Sequence, residues 1–192
     1  MAWWSNIAGT VTGYLRLGLS GVRLKNSAGN LLVRNAGDSA DAEITASKIN
    51  ISAPSSVRVS SANGYGSTNT KIRRFTNTQQ NVGSDITYAD SATLGALFTI
   101  NANGNYAISY TDSFSVAGSA GISLNTTQPT ISIFSISEAT RLCADTSATT
   151  DYISNCGTVA YLTAGSVIRP HTDGVAAGSI PAATSFTICR VS

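Results

Sequence analysis

Charge is scarce in this chain: 11% of its residues are Asp, Glu, Lys or Arg, against about a quarter in ordinary soluble proteins. Ser and Thr fill the vacancy at about a quarter of the 192 residues. Such a chain has little with which to solvate long exposed helices, and its hydroxyl-rich, β-branched stretches suit strands instead. No segment carries helical apolar spacing for more than about two turns. No apolar run reaches the roughly 18 residues needed to cross a membrane. The N-terminus, MAWWSNIAGTVTGYL, has neither a basic leading region nor a sustained apolar stretch, so no secretory signal is expected.

Chemistry-bearing residues are equally few. The three cysteines, Cys143, Cys156 and Cys189, lack Cys-x-x-Cys spacing, which excludes the common zinc frameworks, and their odd number argues against a disulfide framework. Cys143 and Cys156 flank the polar stretch ADTSATTDYISN and can pair if that stretch folds as a hairpin; otherwise all three stay as thiols. His171 is the single histidine. With Asp173 nearby it is either a base with an orienting carboxylate or a polar loop residue. There is no Gly-x-Ser-x-Gly elbow, phosphate-binding loop, dinucleotide fingerprint, His-Glu-x-x-His or calcium loop. Glycan cleavage needs two carboxylates about 5–10 Å apart, and the acidic residues of the C-terminal half lie mostly in expected turns, where Asp is ordinary. The expectation is a non-enzyme without cofactor or metal.

The net charge of +2 conceals a split. Residues 1–74 hold nine basic and three acidic side chains, whereas residues 75–192 hold three basic and seven acidic ones. A basic N-terminal part suits an acidic surface. Its basic residues are spread singly along strands, and only Lys71, Arg73 and Arg74 cluster, so specific nucleic-acid binding is not expected.

Apolar alternation marks a strand over Leu15–Leu19 and a hairpin in which Val22–Lys25 and LLVR flank the turn NSAGN. Short strands are expected at Ile44–Ala46 and Ile49–Ile51. The stretch APSSVRVSSANGYGSTNT reads as a linker over residues 53–70, interrupted by Val57-Arg58-Val59. Beyond it, apolar runs separated by turn residues recur about every ten positions, the cadence of a β-sandwich or barrel. They include Ile72–Phe75, Ile131–Ile136 and Phe186–Val191. FTI-NANGN-YAI reads as a hairpin, because Asn103-Gly104 suits a tight turn needing positive φ.

Two resemblances refine this reading. The run GVRLKNSAGNLLVRNAGDSADAEITASKINI, with its flanks over about residues 15–52, resembles a segment of tailed-bacteriophage virion proteins that joins an attachment end to an exposed β domain. Over about residues 72–192, Phe98-Thr99-Ile100, Gly104-Asn105-Tyr106, the Leu162 to Ile168 strand with Gly165-Ser166, and the closing strand Ser185–Val191 are similar to the complement and tumour-necrosis-factor type of trimeric jelly-roll. Ser166 stands where an acidic residue is usual there. Together the resemblances imply an all-β homotrimer with an N-terminal anchoring arm and hairpin stem (1–52), a linker (53–70) and an antiparallel jelly-roll head (71–192).

The function they imply is that of a structural virion protein. It would be made in the host cytoplasm and exposed on the particle surface, a capsid decoration (cement) protein seated on local three-fold axes of the shell. Trp3 and Trp4 either fold back on their own domain or serve as interface anchors. In the decoration reading they would join Arg16, Arg23, Lys25 and Arg34 in docking on the major capsid protein or another virion protein. The alternative is a short tail fibre whose head binds host surface glycan through loops at residues 144–155 and 170–183, with Tyr152, His171 and Asp173 as candidates. A cellular trimeric binding module is a third reading.

Overall fold

The computed structural model describes residues 14–16, 23–27, 30–35, 37, 39–41, 55–147 and 152–192. The chain divides into two compact units, Met1–Ile51 and Ser52–Ser192. Trp3, Trp4, Ile44–Ala46 and Ile49–Ile51 lie outside the described residues.

In the first unit, β1 (Tyr14–Arg16), β2 (Arg23–Ser27) and β3 (Asn30–Arg34) form an antiparallel sheet in the order β1-β2-β3. The β2–β3 pair is the expected hairpin, with Lys25 opposite Leu32 and Ser27 opposite Asn30. Its asparagine, glycine and serine supply the turn, and the apolar pairs on either side fix the register.

The second unit is a sandwich of two five-stranded sheets. Its strands are β4 (Ser56–Tyr65), β5 (Arg73–Val82), β6 (Ile86–Ser91), β7 (Gly95–Ile100), β8 (Gly104–Phe114), β9 (Gly118–Leu124), β10 (Arg141–Ser147), β11 (Tyr152–Leu162), β12 (Val167–Thr172) and β13 (Ser185–Arg190). One sheet runs β11-β8-β13-β4-β5 and the other β10-β9-β12-β7-β6, with antiparallel pairing throughout. Six of the nine connections pass from sheet to sheet, while β4–β5, β6–β7 and β9–β10 stay within one, so the core lies between two layers of mixed sequence order. Three 3₁₀ turns, at Ile133–Ser135, Glu138–Thr140 and Pro181–Ala183, are the helical elements among the described residues.

Period-2 alternation fills the core. Tyr106, Ile108, Tyr110 and Phe114 of β8, Phe186 and Ile188 of β13 and Val57 and Val59 of β4 point at Phe98, Ile100, Ile122 and Ile168 of the facing sheet. Tyr88, Phe98, Phe186 and Tyr110 form a chain of rings through the centre. The Phe98 and Phe186 rings stack with centroids 4.4 Å apart, and Tyr88–Phe98 and Phe186–Tyr110 follow at 4.9 and 5.7 Å. Each such side chain removed from water contributes about 1.5–3 kcal/mol, and offset rings add to that.

Several expectations are corrected. Residues 53–70 are not a linker: Ser56–Tyr65 is β4, paired with β13 and β5. Its serines and asparagine alternate with Val57 and Val59, both fully buried, so the polar half of a half-buried strand had the composition of a loop. Ile131–Ile136 is not a strand but a 3₁₀ turn capped by Ser132, whose side chain accepts from the Phe134 amide. FTI-NANGN-YAI is not a hairpin, since β7 and β8 belong to opposite sheets. Gly104 has no positive φ. It is needed because a Cβ there would meet the Ser192 carbonyl at 2.3 Å.

Candidate assembly face

The two sheets differ in what covers their outer sides. Behind β9 and β12 lies the chain's own segment 125–140. Lys71 N donates to Pro129 O at 3.1 Å, His171 Nε2 donates to Ile131 O at 2.8 Å, and Arg141 Nη1 donates to Phe134 O at 3.0 Å. Ile133 is fully buried beneath this cover and reaches Gly121 so closely that a Cβ there would lie 2.4 Å from Ile133 Cγ1.

No described segment covers the outer side of β11-β8-β13-β4 in this way. Its rows follow from the register. Val159, Ala107, Cys189 and Ser56 form one row; Gly157, Ser109, Thr187 and Arg58 the next; Asn155, Thr111, Ser185 and Ser60 a third. Across these rows Arg58 is the one charged side chain. The alternation along β11 is inverted relative to an ordinary edge strand. Its large apolar residues Ile153, Val159 and Tyr161 face outward, exposed at 54%, 67% and 64%, while Ser154 and Cys156 face inward. A surface with a single charge and protruding Val and Tyr at one margin is costly to leave in water and cheap to desolvate. Chemically it can bind another neutral surface.

Beneath this face sits a polar cluster. Arg73 Nε donates to Asp112 Oδ2 at 2.8 Å, and the guanidinium lies 4.2 Å over the Tyr65 ring. Asp112 also accepts from Tyr110 Oη at 2.6 Å, Thr184 Oγ1 at 2.9 Å and the Ser113 amide at 2.9 Å. Burial pushes the Asp112 carboxyl up, against the pull of Arg73 and these hydroxyls, and pushes the Tyr65 phenol up to about 12. With every carboxylate lone-pair direction engaged, the cluster ties β5, β8 and the segment before β13 together.

In the first unit, Arg16 stands opposite Arg23, and Arg23 opposite Arg34, so three of the four expected docking cations share one row across β1-β2-β3. Lys25 lies two residues along, opposite Tyr14 and Leu32. Asp41, bridged to Arg34 by a strand pair and an ion pair, supplies one counter-charge.

The expected ligand-facing loop breaks up. His171 is not on a loop: it lies within β12 with no solvent exposure, and the peptide carbonyl of Ile131 closes it in. Burial lowers its pKa, and Arg169 and Lys71 lower it further. Its Nδ1 has no hydrogen-bond partner among the described residues. Asp173 follows β12 and serves as a loop organiser, accepting from the Ser119 and Val175 amides at 2.9 and 3.2 Å. Tyr152 opens β11 rather than a long loop. Cys143 and Cys156 are both thiols, on β10 and β11. The strands belong to opposite sheets, so they do not make the paired hairpin that the sequence suggested.

The assembly face itself was not read from the sequence. One signal was available: between its ends, YISNCGTVAYL puts Ile153, Val159 and Tyr161 on one parity and Ser154, Cys156, Thr158 and Ala160 on the other, so that the side facing the core carries mostly small residues before Leu162.

No protein-family model matches the chain, and no curated protein matches it in sequence. Among solved structures, murine APRIL crystallised at pH 8.5 and at pH 8.0 superposes with a TM-score of 0.52 and 12% identity, covering 72% of this chain and 99% of APRIL. The pH 5.0 form of murine APRIL gives the same score and coverage at 11% identity. At such identities the likeness is one of fold. The second unit shares the jelly-roll β-sandwich fold of murine APRIL.

Proposed function

We propose that the protein is a non-enzymatic structural module that assembles with copies of itself, as a homotrimer, through the outer side of β11-β8-β13-β4. The observation that carries this reading is the nearly uncharged composition of that face, with Val159 and Tyr161 protruding at its margin. A second copy is the occupant the surface suits best. A neutral face can be covered by a neutral surface of another copy without needing a partner of opposite charge, and the sequence resemblance to trimeric jelly-rolls supplies the number three. Light scattering coupled to gel filtration tests it. The expected mass is three times 19.8 kDa, and Val159→Glu with Tyr161→Glu is expected to give folded monomer. A monomeric wild type at micromolar concentration would sink the proposal.

The finer reading is a surface protein of a tailed-bacteriophage particle, a capsid decoration protein whose head projects from the shell. The stem resemblance supports it, as does the arginine row of β1-β2-β3, which favours docking on acidic protein surface. Trp3 and Trp4 would be the apolar anchors. Gold-labelled antibody against residues 72–192, imaged on source particles, is expected to spread over the heads. Gold confined to the tail would move the protein to a receptor-binding fibre, and the absence of label would remove the virion reading.

A further inference from the structure

The long edge of the sandwich between β10 and β11 is closed by side chains rather than by a strand ladder. Ser154 Oγ donates to Asp145 Oδ2 and stands 3.0 Å from both that atom and the Asp145 carbonyl oxygen, while the Asn155 amide donates to Asp145 Oδ2 at 3.2 Å. These bonds place Asp145 of one sheet opposite Ser154 of the other. Two residues along each strand from that contact come Cys143 and Cys156, each the largest influence on the other's proton affinity. Both belong to the hydrophobic core: Cys156 is buried within it and Cys143, partly buried, packs against it. The third cysteine is elsewhere, since Cys189 faces outward from β13 while Cys156 faces inward from the same sheet.

We propose that Cys143 and Cys156 are a redox site, a thiol pair that closes into a disulfide and clips the two sheets together along this edge. The step is thiol–disulfide exchange with a small-molecule disulfide such as oxidised glutathione. The Cys143 thiol, reachable from solvent, loses its proton and attacks one sulfur of that disulfide, whose S–S bond breaks and releases one thiolate. The Cys156 thiol then loses its proton and attacks Cys143 Sγ in the mixed disulfide, displacing the second thiolate. Two protein thiols are oxidised, one external disulfide is reduced to two thiols, and the two protons go to those products. The order of attack follows from the environment: Cys143 is the more accessible of the two, and the neighbouring Cys156 holds it below its usual range, whereas the proximity of Cys143 and burial push Cys156 up. Closure ties β10 to β11 across an edge that otherwise relies on Asp145 and Ser154, and the cross-link restricts the unfolded chain.

The test uses the full-length protein, first reduced and freed of reductant, then incubated with oxidised glutathione, denatured and alkylated. The expected product takes up a single alkyl group, at Cys189, and is two hydrogens lighter. Its thermal midpoint should rise by roughly 5–10 °C, reverting on addition of dithiothreitol. Cys143→Ser, at the partly buried position, should abolish both changes. Three alkylated cysteines after oxidation, a glutathione adduct that persists on Cys143, or a bond to Cys189 would each overturn the proposal.

Discussion

Arg73 and Asp112 face each other across 2.6 Å with neither side chain exposed to solvent. A pair so enclosed contributes little net stability compared with apolar residues of the same shape, yet it is severe to break, because the surviving charge has no water to turn to. Arg73→Met and Asp112→Asn are therefore each expected to lower stability by about 3–5 kcal/mol in urea titrations. Replacing both, Arg73→Met with Asp112→Leu, should cost clearly less than the sum of the two. Additive losses would mean the two groups are stabilised separately, by Tyr65 and by the hydroxyls of Tyr110 and Thr184.

His171 is expected to impose an acid slope on stability. Its folded pKa is lowered while the unfolded chain keeps a value near about 6.5. The unfolded state thus binds more protons in the window between the two. Stability should be complete above about 6.5 and should fall as pH drops through the window toward the folded value. Urea midpoints of wild type and His171→Gln, compared between about pH 7.5 and pH 5, report the difference. Parallel curves would show that His171 does not titrate on unfolding.

The sandwich was legible where the period-2 pattern was strong: most of the apolar runs after residue 72 fall in strands, and the resemblance to a jelly-roll is matched by the topology. What was not legible were relations between distant strands. Ser56–Tyr65 looked like a linker because its inward half is only Val57 and Val59, and its polar half faces a side whose neighbours on β13 are themselves Thr and Cys. His171 looked like a loop residue because Pro170 and Asp173 surround it, and only the fold brings Ile131 over it. The assembly face depends on four strands that arrive from positions 56 to 189 of the chain, and no local window contains it.

Cys189 offers a probe of that face without altering it. If copies cover the side of β13 that carries it, the Cys189 thiol of the wild-type protein should react slowly with a maleimide. In the Val159→Glu variant it should react at the rate of an accessible cysteine. Equal rates in the two proteins would place any self-contact elsewhere.

Gly121→Ala is expected to lower stability by about 1–3 kcal/mol. The added methyl would meet Ile133 Cγ1 at 2.4 Å and the Cys143 carbonyl at 2.8 Å, so segment 125–140 or β10 must move. Pairing it with Ile133→Ala should recover part of the loss in the same urea measurement. No recovery would place the strain at the backbone contact instead.

That cover over β9 and β12 also sets a limit on growth. A sandwich with two bare sheets can be joined on both sides and so polymerise, as stacked plates do. Here one side is already occupied by the chain's own segment, held by Pro129, Ile131 and Phe134. If copies join through the bare side, as proposed, the cover leaves the second sheet of the sandwich unable to take a further copy in the same way, which favours closed assemblies over extended ones.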